Sequence, residues 1–108
     1  EMISWDGTSV DDPLIPIANA LYQNSPNPFN PQTSISFDLK DDAKVVLEIY
    51  NMKGQKVRQL VNSSISAGQH SVVWNGKDDN NKTVSSGIYF YKFKTEDYQA
   101  TKKMLLLK

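Results

Sequence analysis

From Thr33 onward the chain changes polarity at almost every step, and that period of two decides what it can fold into. Ile35, Phe37 and Leu39 share one side of Thr33 to Leu39, with Ser34, Ser36 and Asp38 on the other. Successive side chains of a strand point to opposite faces, so the pattern predicts a strand with one face buried and one wet. Asp41-Asp42 predicts a turn, and Lys44 to Asn51 repeats the alternation with Val45, Leu47 and Ile49 together. Asn51-Met52-Lys53-Gly54 fits a type I turn ending on a left-handed glycine, which closes a hairpin. Its partner, Lys56 to Asn62, carries Val57, Leu60 and Val61, and the slip in phase there predicts a bulge. Ala67-Gly68 turns the chain into His70 to Trp74, where Val72 and Trp74 share a face. After a polar loop, Asn75 to Ser86, the run Ile88-Tyr89-Phe90-Tyr91-Lys92-Phe93 is apolar on both faces at its start, as a central strand would be. Glu96-Asp97 makes the last tight turn, and Tyr98 to Lys108 pairs back with Met104 and Leu106 inward. No eleven-residue stretch keeps a 3.6-residue apolar period, so no helix is expected. Six or seven strands with closely spaced turns predict an all-β antiparallel sandwich.

The two ends break the alternation. Asp6-Gly7, Asp11-Asp12-Pro13 and Pro16 interrupt residues 1–20, which read as a linker or the end of a preceding domain, with a short strand around Met2 to Trp5. Next comes Asn24-Ser25-Pro26-Asn27-Pro28-Phe29-Asn30-Pro31. Three prolines cannot donate to a central ladder, so this box predicts a rigid strap with Phe29 as its anchor. At the other end stands Lys103-Met104-Leu105-Leu106-Leu107-Lys108, four apolar side chains bounded by lysines. Either they close a sheet or a partner recognises them.

The 108 residues make one domain with a short appendage. Twelve acids balance twelve bases, but residues 1–40 carry a net −4 and the rest a net +4. Much of the excess lies at Lys92, Lys94, Lys102, Lys103 and Lys108. A solvated face or edge protection explains such lysines; an acidic partner is the alternative. The absence of cysteine excludes disulfides, thiolate metal sites and cysteine nucleophiles. No apolar run nears the ~18 residues of a membrane span, so no membrane insertion is expected. No signal-peptide pattern precedes Glu1, and the chain reads as a piece of a larger protein with its targeting signal upstream.

Chemistry-bearing patterns are sparse. His70 is the sole histidine, no Gly-x-Ser-x-Gly elbow accompanies it, and its place beside Val72 and Trp74 favours packing. Asp78-Asp79-Asn80-Asn81 resembles a calcium loop, yet Thr83 and Tyr89 stand where that template needs glycine and glutamate. Asp and Asn also build plain turns, so the expectation is no metal, with a weak calcium site at Asp78 and Asp79 as the alternative. Asn62-Ser63-Ser64 and Asn81-Lys82-Thr83 match the glycosylation sequon, which matters only in a secreted eukaryotic chain. Tyr89, Phe90, Tyr91, Phe93 and Tyr98 fit either a sugar or nucleic-acid platform or a core, and core is the stronger reading. No phosphate-binding glycine loop exists. No catalytic residue, no cofactor and no nucleic-acid partner are expected.

Leu21-Tyr22-Gln23-Asn24-Ser25-Pro26-Asn27-Pro28-Phe29-Asn30-Pro31 resembles the opening of the C-terminal sorting domain of the type IX secretion system. Ile49-Tyr50-Asn51 with Gly54-Gln55, Ala67-Gly68-Gln69-His70, Trp74-Asn75-Gly76, Ser86-Gly87-Ile88-Tyr89-Phe90-Tyr91 and the closing Lys103 to Lys108 follow in that family's order. The resemblance covers residues 21–108 and extends to the Ig-like domain of the flagellar hook-cap protein, the nearest competing reading. It departs at Asn75, where the family usually has Asp, near Asn81, where it has Gly, and at Ser25, often Tyr or Phe.

The resemblance implies an Ig-like β-sandwich of about seven strands at the end of proteins secreted by Bacteroidetes-type bacteria. It implies a non-enzymatic sorting role: an N-terminal cargo domain passes through the periplasm, the outer-membrane translocon recognises the domain, and cargo reaches the cell surface or medium. A sortase-like peptidase is its second implied partner, and Ile15 to Tyr22 is where a cut would be accessible. Lys103, Met104, Leu105, Leu106, Leu107 and Lys108 are the candidate recognition residues. Pro26, Asn27, Pro28, Phe29, Asn30, Pro31, Gly54, Gly68, Trp74, Gly87 and Tyr89 are the structural motif. A hook-cap assembly module and a carbohydrate-binding accessory sandwich are the alternatives.

Overall fold

The computed structural model describes residues 15–108. The strand expected around Met2 to Trp5 lies outside the described residues. Seven strands follow in order: β1 (Ala20–Leu21), β2 (Thr33–Leu39), β3 (Ala43–Asn51), β4 (Lys56–Ile65), β5 (Gly68–Trp74), β6 (Gly87–Lys94) and β7 (Gln99–Leu106). They form two antiparallel sheets, β1-β2-β5 and β4-β3-β6-β7, and no helix occurs among the described residues. The expected all-β sandwich is the observed fold.

The alternation does what period two demands. Ile35, Phe37 and Leu39 of β2 pack inward against Val45, Leu47 and Ile49 of β3, and all six are buried. Tyr89, Tyr91 and Phe93 of β6 and Met104 and Leu106 of β7 complete the core. Large side chains from both inner faces thus meet in one layer, where each fully buried one contributes roughly 1.5–3 kcal/mol. β6 is central, between β3 and β7. Because Ile88 and Phe90 alternate with the tyrosines, they point to the outer face, so Phe90 is only half-buried instead of a core residue.

The β3–β4 turn closes on Gly54, whose N–H donates to Asn51 O at 3.0 Å and whose φ is +82°. Two register shifts follow in β4, leaving Leu60 and Val57 without a partner residue on β3. These bulges re-phase the strand, which is how Val57, Leu60 and Val61 all reach the core despite their irregular spacing. β4 also runs to Ile65, three residues past the expected end.

Candidate functional site: the strap and the closing strand

The proline box crosses from one sheet to the other. Tyr22 N–H donates to Ser36 O at 3.0 Å, and Ser25 and Ser34 exchange backbone bonds of 3.0 and 2.9 Å, so the strap first extends β1 along β2. It then passes over the core to the edge of β7. Phe29 N–H donates to Leu105 O and Leu107 N–H donates to Phe29 O, both at 3.0 Å, a parallel pairing of Phe29 with Leu106. Asn27 Oδ1 accepts from Leu105 N–H at 3.0 Å, and Gln23 Nε2 donates to Lys103 O at 2.8 Å. On the far side Lys108 N–H donates to Ser86 Oγ at 3.1 Å.

Buried polar groups hold the strap's entry. Asn24 is 3% exposed, and its N–H donates to Tyr91 Oη at 2.8 Å while its amide donates to Thr33 Oγ1 at 3.0 Å and Pro26 O at 3.1 Å. The Tyr91 hydroxyl in turn donates to Tyr22 O at 2.7 Å. Prolines leave carbonyls without a neighbouring donor, and these side chains supply one. Burial pushes the Tyr91 phenol up to about 12, opposed by the Asn24 N–H bond, so it remains a neutral hydroxyl that both donates and accepts.

Aromatic packing holds the strap's middle. Phe29 lies with its ring centroid 5.7 Å from Trp74, and Trp74 meets Tyr89 edge-on at 5.4 Å. Trp74 Nε1 donates to Lys77 O at 2.9 Å and the Tyr89 hydroxyl to Ser85 O at 2.7 Å. Gly76, at φ +75°, leaves so little room that an added Cβ would sit 2.9 Å from Pro31 O. The strap residues, Trp74, Tyr89 and the tail therefore meet at one end of the sandwich, with Gly87 opening β6 opposite Leu106. Gly54 lies apart at the β3–β4 turn, and Gly68 opens β5 at φ +138°.

Within the tail, orientation separates two groups. Met104 and Leu106 are core, at 1% and 0% exposure. Lys103, Leu105, Leu107 and Lys108 turn outward or lie beyond the strand, with Leu105 opposite Ile88 on the outer face and Leu107 half exposed. Lys92, Lys94, Lys102, Lys103 and Lys108 form no ion pair among the described residues, where the pairs are Lys56–Glu48 at 3.6 Å and Arg58–Asp79 at 3.9 Å. The Tyr50 hydroxyl bond to Glu48 is the main cause holding that carboxyl below its usual range, and it raises Tyr50 in turn. Likewise a hydrogen bond from Tyr22 to the buried Asp38 carboxylate raises the Tyr22 phenol.

The other sequence candidates fill structural roles. His70 stacks on Phe37 at 5.4 Å and its Nε2 lies 2.7 Å from Ser66 O. Asp78 Oδ1 accepts from the backbone of Asn80 and Lys82, both at 2.9 Å, while Asp79 Oδ1 accepts from Gln59 N–H at 3.1 Å. Those carboxylates fold the loop onto the edge of β4, and no cluster of three or more metal-ligating side chains occurs among the described residues. Asn81 adopts φ +62°, a left-handed position that asparagine tolerates where glycine is usual. Sequence reasoning missed Asn24, Gln23 and Tyr91 as the strap's anchors. Their partners lie 67 to 80 residues away along the chain, beyond any local pattern. In Ile15 to Tyr22, Ala20–Leu21 is paired with Phe37 and Asp38, whereas Ile17 is fully exposed.

Two packed antiparallel sheets crossed by a strap anchored through its buried Asn24 and Phe29 define an Ig-like β-sandwich module. The model of the FlgD Ig-like domain matches residues 23–99, and the chain belongs to that family. Solved structures share the fold. Dimeric latent PorU from Porphyromonas gingivalis matches with a TM-score of 0.68 and 20% identity over 91% of this chain and 10% of its own. PorZ from the same organism, described as an essential bacterial surface component of the type-IX secretion system, matches with a TM-score of 0.58 and 17% identity, over 82% of this chain and 11% of its own. FlgD from Xanthomonas campestris, described in connection with hook capping in flagellar assembly, gives 0.55 and 24% identity, over 85% of this chain and 64% of its own. The chain thus spans about a tenth of the PorU and PorZ structures it resembles. No curated protein sequence matches it significantly.

Proposed function

We propose that this module is a non-enzymatic sorting domain that takes a larger cargo across the outer membrane by a type IX route, from periplasm to cell surface or medium. The observation that carries the reading is the convergence of the proline box, Trp74, Tyr89 and the lysine-bounded tail on one end of the sandwich. There Lys103, Leu105, Leu107 and Lys108 form an outward surface held rigid from both sides, which is what a receptor needs to read a folded signal. The shared fold of PorU and PorZ supports the same direction. The translocon is the proposed receptor, and a sortase-like peptidase is proposed to cut at Ile15 to Ala18, ahead of the paired β1.

Deleting the tail would also remove Leu106 from the core, so the test uses Leu105→Ser with Leu107→Ser on a reporter fused ahead of the domain. Export to the cell surface is expected to fall while the thermal midpoint holds; unchanged export would sink the proposal. The family match and the FlgD structure favour a second reading, an assembly module, and concentration-dependent self-association would distinguish it. Of the five aromatics that suggested a carbohydrate platform, Tyr89, Tyr91 and Phe93 face the core, which leaves Phe90 and Tyr98 to that alternative.

A further inference from the structure

The strap covers only half of β7's free edge. β7 is the last strand of its sheet, and among the described residues the outer side of its backbone carries no ladder, only the isolated bridge of Leu106 to Phe29. Leu105 uses both its N–H and C=O on the strap, which fixes the parity: Lys103, Thr101 and Gln99 present their backbone groups to that same side. The β6–β7 turn agrees, since Thr95 N–H donates to Tyr98 O at 2.8 Å and the hydrogen-bonded pairs alternate from there. Lys103 C=O is occupied by Gln23. Among the described residues, the N–H and C=O of Gln99 and Thr101 and the N–H of Lys103 therefore remain open, on three residues whose side chains are all exposed.

An open edge is normally guarded, and lysines are the usual guard. Lysines repel another basic edge but attract an acidic one. Lys102 and Lys103 sit on the open stretch, and Lys92 and Lys94 stand opposite Thr101 and Gln99 on β6. No ion pair among the described residues neutralises any of the four. A second copy is a poor occupant, because antiparallel pairing about Thr101 would set Lys102 diagonal to its own equivalent.

We infer that Gln99 to Lys103 is a β-augmentation site that accepts an extended, acidic segment of a partner protein as an eighth strand. The inference deepens the sorting reading only in naming how the receptor engages; the binding event stands or fails without it. A strand of about five residues, roughly 17 Å, fits the open stretch before it meets the strap. Its main-chain bonds give affinity, and its acidic side chains beside Thr101 and Gln99 lie on the outer face that carries Lys103, Lys92 and Lys94.

The test uses the full chain with two blocked hexapeptides, one of alternating glutamate and valine, the other of alternating lysine and valine. Amide shifts and hydrogen exchange are followed by NMR. The acidic peptide is expected to protect the amides of Gln99, Thr101 and Lys103, and the basic peptide to leave them unchanged. Thr101→Pro removes an N–H that no strand among the described residues uses, so the fold is expected to survive and peptide affinity to drop about tenfold, one hydrogen bond's worth. Where that variant's circular dichroism shows misfolding, Lys102→Glu with Lys103→Glu replaces it, and the preference is expected to pass to the basic peptide. Equal binding of both peptides, protection confined to another edge, or no protection at millimolar peptide overturns the inference. Reporter export by the Leu105/Leu107 variant is scored separately, so failure of the sorting reading and failure of the edge site are told apart.

Discussion

Removing one oxygen atom tests the account of the strap. Tyr91→Phe keeps the ring in the core but deletes the hydroxyl that accepts from Asn24 N–H and donates to Tyr22 O. The two orphans differ in consequence. Asn24 is 3% exposed, so its N–H loses its acceptor where water has little access, a cost of about 1–3 kcal/mol. Tyr22 is 47% exposed, and water can replace the donor at its carbonyl for little cost. The expected loss is therefore about 2 kcal/mol, a sizeable part of the 5–15 kcal/mol typical of a domain. The thermal midpoint should fall by roughly 8–16 °C. Tyr89→Phe is the internal control, since its hydroxyl bonds Ser85 O on an exposed loop residue and should cost about 0.5–1 kcal/mol. Urea unfolding of both variants checks this, with the midpoint moving and the m-value constant. Native-state hydrogen exchange at the Asn24 amide should quicken in Tyr91→Phe alone. Equal losses in the two variants, or a loss under about 0.5 kcal/mol for Tyr91→Phe, would refute the view that Asn24 and Tyr91 anchor the strap.

Other expectations follow from the same geometry. Leu106→Ala should cost about 2–5 kcal/mol in urea unfolding, while Leu107→Ser, on the outward face, should stay within about 0.5 kcal/mol. Gly76→Ala should lose about 1–3 kcal/mol, because the new Cβ meets Pro31 O and the left-handed backbone disfavours alanine; a neutral result by thermal melting would mean the strap yields. Raising the pH should destabilise the domain. The folded Tyr91 phenol titrates near 12, above its unfolded value near 10, so its contribution is complete below pH 10 and is lost between 10 and 12. That part of the alkaline slope should vanish in Tyr91→Phe, as read by midpoints at stepped pH.

Strand existence was legible wherever one face is apolar and the other wet. Thr33 to Leu39 was readable to the residue, because alternation there is unbroken. Phe90 was misread because β6 alternates one aromatic face with another, and period two alone does not say which faces the core. β1 went unread: two residues among prolines carry no period. The motif residues were visible in sequence, but their convergence was not. Asn24 with Tyr91 and Phe29 with Leu106 are long-range pairings, and only the completed sandwich brings them together. The tail's two alternating roles, by contrast, follow directly from strand parity once β7 is paired.

The pairing of Phe29 with Leu106 also has a consequence in time. Asn27 and Leu105 are 78 positions apart, so during synthesis the strap emerges long before the strand it must clamp. Closing so long a loop costs entropy that is recovered only when both partners are present, and topologies of this kind fold slowly. Before β7 arrives, Phe29 lacks its backbone partners and the hydrophobic floor under the strap lacks Met104 and Leu106. The strap is thus a late lock: an interrupted translation product ending before β7 has no means of closing it.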